Sequence, residues 1–189
     1  MDTDYHRPLY SRASALRFFI HIINRPKLVV TPHLEIEQVS VGEKFEAYRW
    51  KIWFHVLNDG KNSAKLSVFE VSAKCEPGQR WQAPSQREGR ANFPPIGYRG
   101  ATRFDWVSEN LDIRYSGDDY EYYMHGQRTP MWIFKKGDQG AVTPLNLISG
   151  AIYGDESLKK EFTMMLYVTS NPKEPFRLKP LRGLSETPS

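Results

Sequence analysis

"RWKIWFHVLNDGKNSAKLSVFEV", residues 49–71, decides how this chain reads. Trp50, Ile52, Phe54 and Val56 alternate with Arg49, Lys51, Trp53 and His55. A period of two puts each set on its own face of an extended strand. A slip of one residue would expose the whole apolar set, so the register is strongly specified. Asn58, Asp59 and Gly60 follow, residue types that suit a turn. Ala64, Leu66 and Val68 then alternate with Lys65, Ser67 and Phe69, which predicts a second strand with Leu66 in the core. The stretch is strand, polar loop, strand.

The same period recurs along the chain. Leu34 and Ile36 alternate with glutamates in "HLEIEQV" (33–39), and Phe104 and Trp106 oppose Arg103, Asp105 and Val107. "MWIFKKG" (131–137) reads as strand and turn, and "EFTMMLYVTS" (161–170) alternates throughout. "LNLISGAIYG" (145–154) fits a strand or a short buried helix, and "PFRLKPL" (175–181) a last edge strand limited by Pro180. Seven or so short strands separated by turn residues predict an all-β, immunoglobulin-like antiparallel β-sandwich. Composition agrees: ten Tyr, ten Phe and five Trp favour pleated surfaces, and thirteen Gly with thirteen Pro favour many breaks.

Val56, Asn58, Gly60 and Ala64 form a V-x-N-x-G-x-x-x-A pattern. It resembles the signature of the immunoglobulin-like adhesion modules of CARDB type found in prokaryotes. "RPKLVV" (25–30) and "EFTMMLYVTSNPKEPFRLKP" (161–180) are similar to segments of uncharacterised prokaryotic proteins with that module. The resemblance covers about a third of the chain. It implies a turn between sheets shaped by the Asn and Gly, an Ala in the core, and no catalytic residues.

Three segments fall outside this pattern. Residues 1–26 are expected to be a polar segment and a short amphipathic helix over roughly 14–24, ended by Arg25-Pro26. Leu16, Phe19, Ile20 and Ile23 share its apolar face at i, i+3, i+4 and i+7, with arginines around them. "ALRFFIHII" (15–23) falls far short of the ~20 apolar residues that cross a bilayer. Its apolar face suits packing, a subunit contact or a membrane surface. Residues 27–182 are expected to form the sandwich, with a long insertion at about 76–126, and residues 183–189 a disordered tail.

That insertion is the expected recognition surface. Arg80, Arg87, Arg90, Arg99 and Arg103 precede an acidic block from Asp105 to Glu121. Aromatic side chains in loops offer large contact area at modest entropy cost. Trp81, Arg87, Arg90, Tyr98 and Tyr120 are the expected partner-binding residues. Nucleotide fingerprints, nucleophile elbows and zincin motifs are absent. Cys75, the single cysteine, allows no intrachain disulfide, favours a reducing compartment and reads as a buried structural thiol. His33 and His55 could approach across neighbouring strands beside Glu35. Asp118, Asp119 and Glu121 could share a calcium ion, without the spacing of an EF-hand.

The sequence therefore points to a non-enzymatic protein-interaction or structural module. No catalytic residue, metal, cofactor or small-molecule substrate is expected. The expected partner is a protein or a second copy of the chain rather than nucleic acid, and the expected location is cytoplasmic. Two alternatives stand beside it: a peripheral membrane protein held by the N-terminal helix, and a calcium- or glycan-binding module.

Overall fold

The computed structural model describes residues 24–75, 88–124, 127–138, 140–154 and 157–184, the Cys75 side chain excepted. Ten strands follow in order: β1 (Leu28–Val41), β2 (Phe45–Asn58), β3 (Ser67–Cys75), β4 (Glu88–Phe93), β5 (Ala101–Ser116), β6 (Asp119–Met124), β7 (Trp132–Lys135), β8 (Val142–Gly154), β9 (Lys160–Thr169) and β10 (Phe176–Arg182). They form two five-stranded sheets, ordered β1-β2-β5-β6-β7 and β10-β9-β8-β3-β4. Every pairing is antiparallel. The described residues are all-β, as their period of two demands.

The sheets stack through the apolar faces that the alternation creates. Trp50, Ile52, Phe54 and Val56 of β2 are fully buried. So are Met164, Leu166 and Val168 of β9. Rings interlock across the layers: Phe54 meets Phe69 at 4.9 Å and Phe162 at 5.6 Å, and Trp50 meets Phe176 at 4.8 Å.

One strand has the opposite phase from that expected. Leu66 is 60% exposed, while Phe69 and Val71 are buried. Ala64 spends its backbone hydrogen bonds on Ile96 in an isolated bridge, and β3 starts afresh at Ser67. The alternation across 64–69 therefore does not belong to one strand.

The span 76–126, expected as an insertion, contributes β4, β5 and β6 to the two sheets. β4 gives little apolar signal because its inward positions include Gly89 and Ala91. A Cβ on Gly89 would lie 2.7 Å from the Trp106 ring, so the bare backbone lets that indole pack beneath the strand. β5 carries a bulge: Ile52 pairs Val107 and Trp53 pairs Asp105, leaving Trp106 as the extra residue. Trp106 and Val107 are consequently both buried. Residues 145–154 belong to β8 and are strand, and β10 is an edge strand with an irregularity next to Pro180.

No helix occurs among the described residues. The helix expected over 14–24, with Leu16, Phe19, Ile20 and Ile23, falls almost wholly on residues 1–23, which lie outside them, as do residues 185–189 of the expected tail.

Candidate functional site

Reading β2 backward from Trp50, the inward positions are Tyr48 and then Glu46. A carboxylate thus occupies a core-facing position where the sandwich opens at one end. Register brings its neighbours: Glu46 pairs Ile113 of β5, Tyr115 follows two residues later, and Tyr115 pairs Tyr120 of β6. One Glu46 oxygen accepts a hydrogen bond from the Tyr115 hydroxyl. The other accepts from the Tyr48 hydroxyl and, at 3.1 Å, from Gln38 Nε2. The Tyr115 and Tyr120 rings meet edge to face at 5.4 Å. Behind them Tyr122 packs edge-on against Phe134 at 5.2 Å.

Burial, and then the Glu46 hydrogen bond, push the Tyr48 and Tyr115 hydroxyls well above the ordinary tyrosine value. Both remain proton donors throughout the neutral range. Burial pushes Tyr122 up as well, with smaller contributions from Tyr48, Tyr115, Tyr120 and Glu46. The Tyr122 hydroxyl is buried with no hydrogen-bond partner among the described residues. An unsatisfied buried hydroxyl is costly and uncommon in native interiors.

Glu46, Tyr115 and Tyr120 line one side of a cleft of about 500 Å³. The β9–β10 turn lines the other. That turn is locked by its own polar groups: Thr169 Oγ1 donates to the Glu174 carbonyl at 2.5 Å, and the Lys173 N–H donates to Asn171 Oδ1 at 3.1 Å. Lys136, Lys173 and Arg177 add positive charge to the lining. Arg177 is offset by Glu174, 3.3 Å away. The cleft therefore combines a hydrogen-bonded carboxylate, two phenol rings and ammonium groups.

Of the residues expected at the site, Tyr120 lies in this cleft. Tyr98 is exposed in the loop before β5, with the Arg99 guanidinium 5.1 Å from its ring. That loop adjoins Ala101, whereas Tyr120 pairs near the far end of β5, whose 16 residues span roughly 50 Å at about 3.3 Å each. Arg90 lies on the outer face of the second sheet, its Nε 3.4 Å from Glu70. Arg90, Tyr98 and Tyr120 therefore do not converge. Trp81 and Arg87 lie outside the described residues.

Glu35 receives the Trp53 Nε1–H at 2.7 Å and Lys51 at 3.4 Å, and His33 stacks on Trp53. Glu121 accepts from the Tyr123 hydroxyl, and Asp119 pairs Ser116 and Lys135 in the ladder. Among the described residues no group of three His, Cys, Asp or Glu is placed to share a metal ion.

Glu46 and Tyr48 escape the sequence reading because the alternation looks apolar only from Trp50 onward. The same phase, carried four residues toward the N-terminus, reaches both. Comparisons with protein-family models, with curated proteins and with solved structures find no match to this chain.

Proposed function

We propose that this protein is a non-enzymatic recognition module of immunoglobulin-like, CARDB-like type, which takes a short segment of a protein partner into the Glu46–Tyr115–Tyr120 cleft. The observation that carries this reading is the inward Glu46 carboxylate, held by two tyrosine hydroxyls at an open end of the sandwich. A carboxylate beside phenol rings suits a basic side chain, through charge and cation–π attraction. Lys136 and Lys173 suit an acidic residue next to it. The partner segment is thus one of mixed charge. Hydroxyls whose pKa is raised stay protonated at neutral pH and give up their protons reluctantly, which favours binding over acid–base chemistry. The CARDB-like reading is supported by the structural roles of Asn58, Gly60 and Ala64 at the strand junction.

Selection of phage-displayed peptides on the purified protein tests it. Peptides pairing Lys or Arg with Asp or Glu should be enriched on the wild type and lost on Glu46→Gln and Tyr120→Ala, with both variants still folded. No enrichment, or enrichment that survives both substitutions, counts against the reading.

A further inference from the structure

A second hollow, of about 560 Å³, lies where the β2–β3 turn meets the start of β9 and the residues leading into β1. Arg25, Lys27, Lys61, Lys159 and Lys160 line it, together with Leu158. Asp59 offsets Lys27 at 3.3 Å, and Glu161 offsets Lys159 at 2.6 Å. Among the described residues Arg25, Lys61 and Lys160 make no ion pair. An excess of positive charge is thus concentrated in one concavity of a chain whose formal net charge is only +4.

We propose that this end of the sandwich docks on an anionic lipid bilayer, with the cations meeting headgroup phosphates and carboxylates. Two features favour lipid over a nucleic-acid strand. Leu158 is 75% exposed among the lysines, and an apolar side chain at the level of ammonium groups fits the boundary between headgroups and acyl chains. Among the described residues none that lines it is aromatic, so bases would find no ring there to stack on. Each basic residue near an anionic leaflet adds about a factor of five in affinity. In sequence, the apolar "ALRFFIHII" with its arginine immediately precedes this mouth.

Vesicle co-sedimentation of the full chain tests this, using phosphatidylcholine alone or with about one-third phosphatidylserine. Binding should require phosphatidylserine, weaken as salt rises and fall at least about tenfold in Lys61→Glu/Lys160→Glu. It should fall several-fold in Leu158→Ser, with thermal stability unchanged in both variants. Both variants keep residues 1–23, so binding that survives the charge reversal would place the contact elsewhere and overturn the proposal. So would an absence of phosphatidylserine-dependent binding, including the case where heparin or an oligonucleotide binds and vesicles do not.

Discussion

His33 lies flat on Trp53, ring centroids 3.8 Å apart and planes within 8° of parallel. From the β5 side the Arg103 guanidinium comes to 4.1 Å of the same indole. The indole N–H is bound to Glu35, so this outer-face aromatic is already engaged by three neighbouring side chains. Burial lowers the His33 pKa below 6.5, helped by His55 and Arg103 and opposed by Glu35. A lowered histidine pKa means that the unfolded chain binds more protons between the folded value and 6.5. Stability then rises with pH through that window and is lost as pH falls through it. Urea unfolding across mildly acidic pH should show this slope in the wild type and a flatter one in His33→Gln. An unchanged slope would show that another group is responsible.

Asn58 ties three segments together. Its buried amide oxygen accepts from the Lys27 and Gly60 N–H groups at 3.2 and 3.0 Å, and its amide nitrogen donates to the carbonyls of Asn62 and Ile96 at 2.8 and 2.9 Å. Asn58→Ala removes all four bonds and leaves the Lys27 and Gly60 N–H groups without this acceptor, although the Ile96 carbonyl keeps the Ala64 N–H, and it should cost at least about 3 kcal/mol in denaturant unfolding. Asn58→Asp keeps the acceptor but loses the donor and buries a charge. It should be at least as destabilising at neutral pH and recover partly in acid.

The β2 register was legible because Trp50 to Val56 and Arg49 to His55 differ sharply in polarity, and nothing interrupts the strand. β3 was not, because polarity alone cannot distinguish Leu66 from Phe69 when a bridge at Ala64 resets the chain. β6 carries the alternation too, Tyr120, Tyr122 and Met124 against Asp119, Glu121 and Tyr123, but its acidic residues equally fit a cation-binding loop. The cleft was legible only through Tyr120. Glu46 reads as surface until the inward phase of β2 is carried past Trp50. Phe69→Ala should therefore cost about 3–5 kcal/mol, and Leu66→Ser should stay within about 0.5 kcal/mol. Comparable costs would contradict the observed phase.

Gly60 is needed for close approach of two chain segments. A Cβ there would fall 2.3 Å from the Lys27 nitrogen and 2.4 Å from the Arg25 carbonyl, both backbone atoms that cannot swing away. Gly97 has nothing within 4 Å of its notional Cβ. Gly60→Ala should lower Tm markedly and Gly97→Ala should leave it nearly unchanged, since alanine there costs no contact and reduces unfolded-state freedom. Equal effects would mean that the β2–β3 turn can move away from the residues leading into β1.

Glu46 should reveal itself through the phenols it holds. With Tyr48 and Tyr115 raised by burial and by their bonds to Glu46, the folded state keeps protons that the unfolded chain releases above pH 10. That stability is fully present below the ordinary tyrosine pKa and is lost as pH rises beyond it. Glu46→Gln removes the negative neighbour but leaves the burial. Phenolate absorbance of the folded variant should therefore rise at lower pH than in the wild type, though still above the value of free tyrosine. The alkaline loss of stability should begin at the same pH, because the unfolded chain is unchanged. It should end at a lower pH, because the folded phenols release their protons sooner. Identical titrations in the two proteins would mean that Glu46 does not hold the tyrosine hydroxyls, and the cleft would lose its central acceptor.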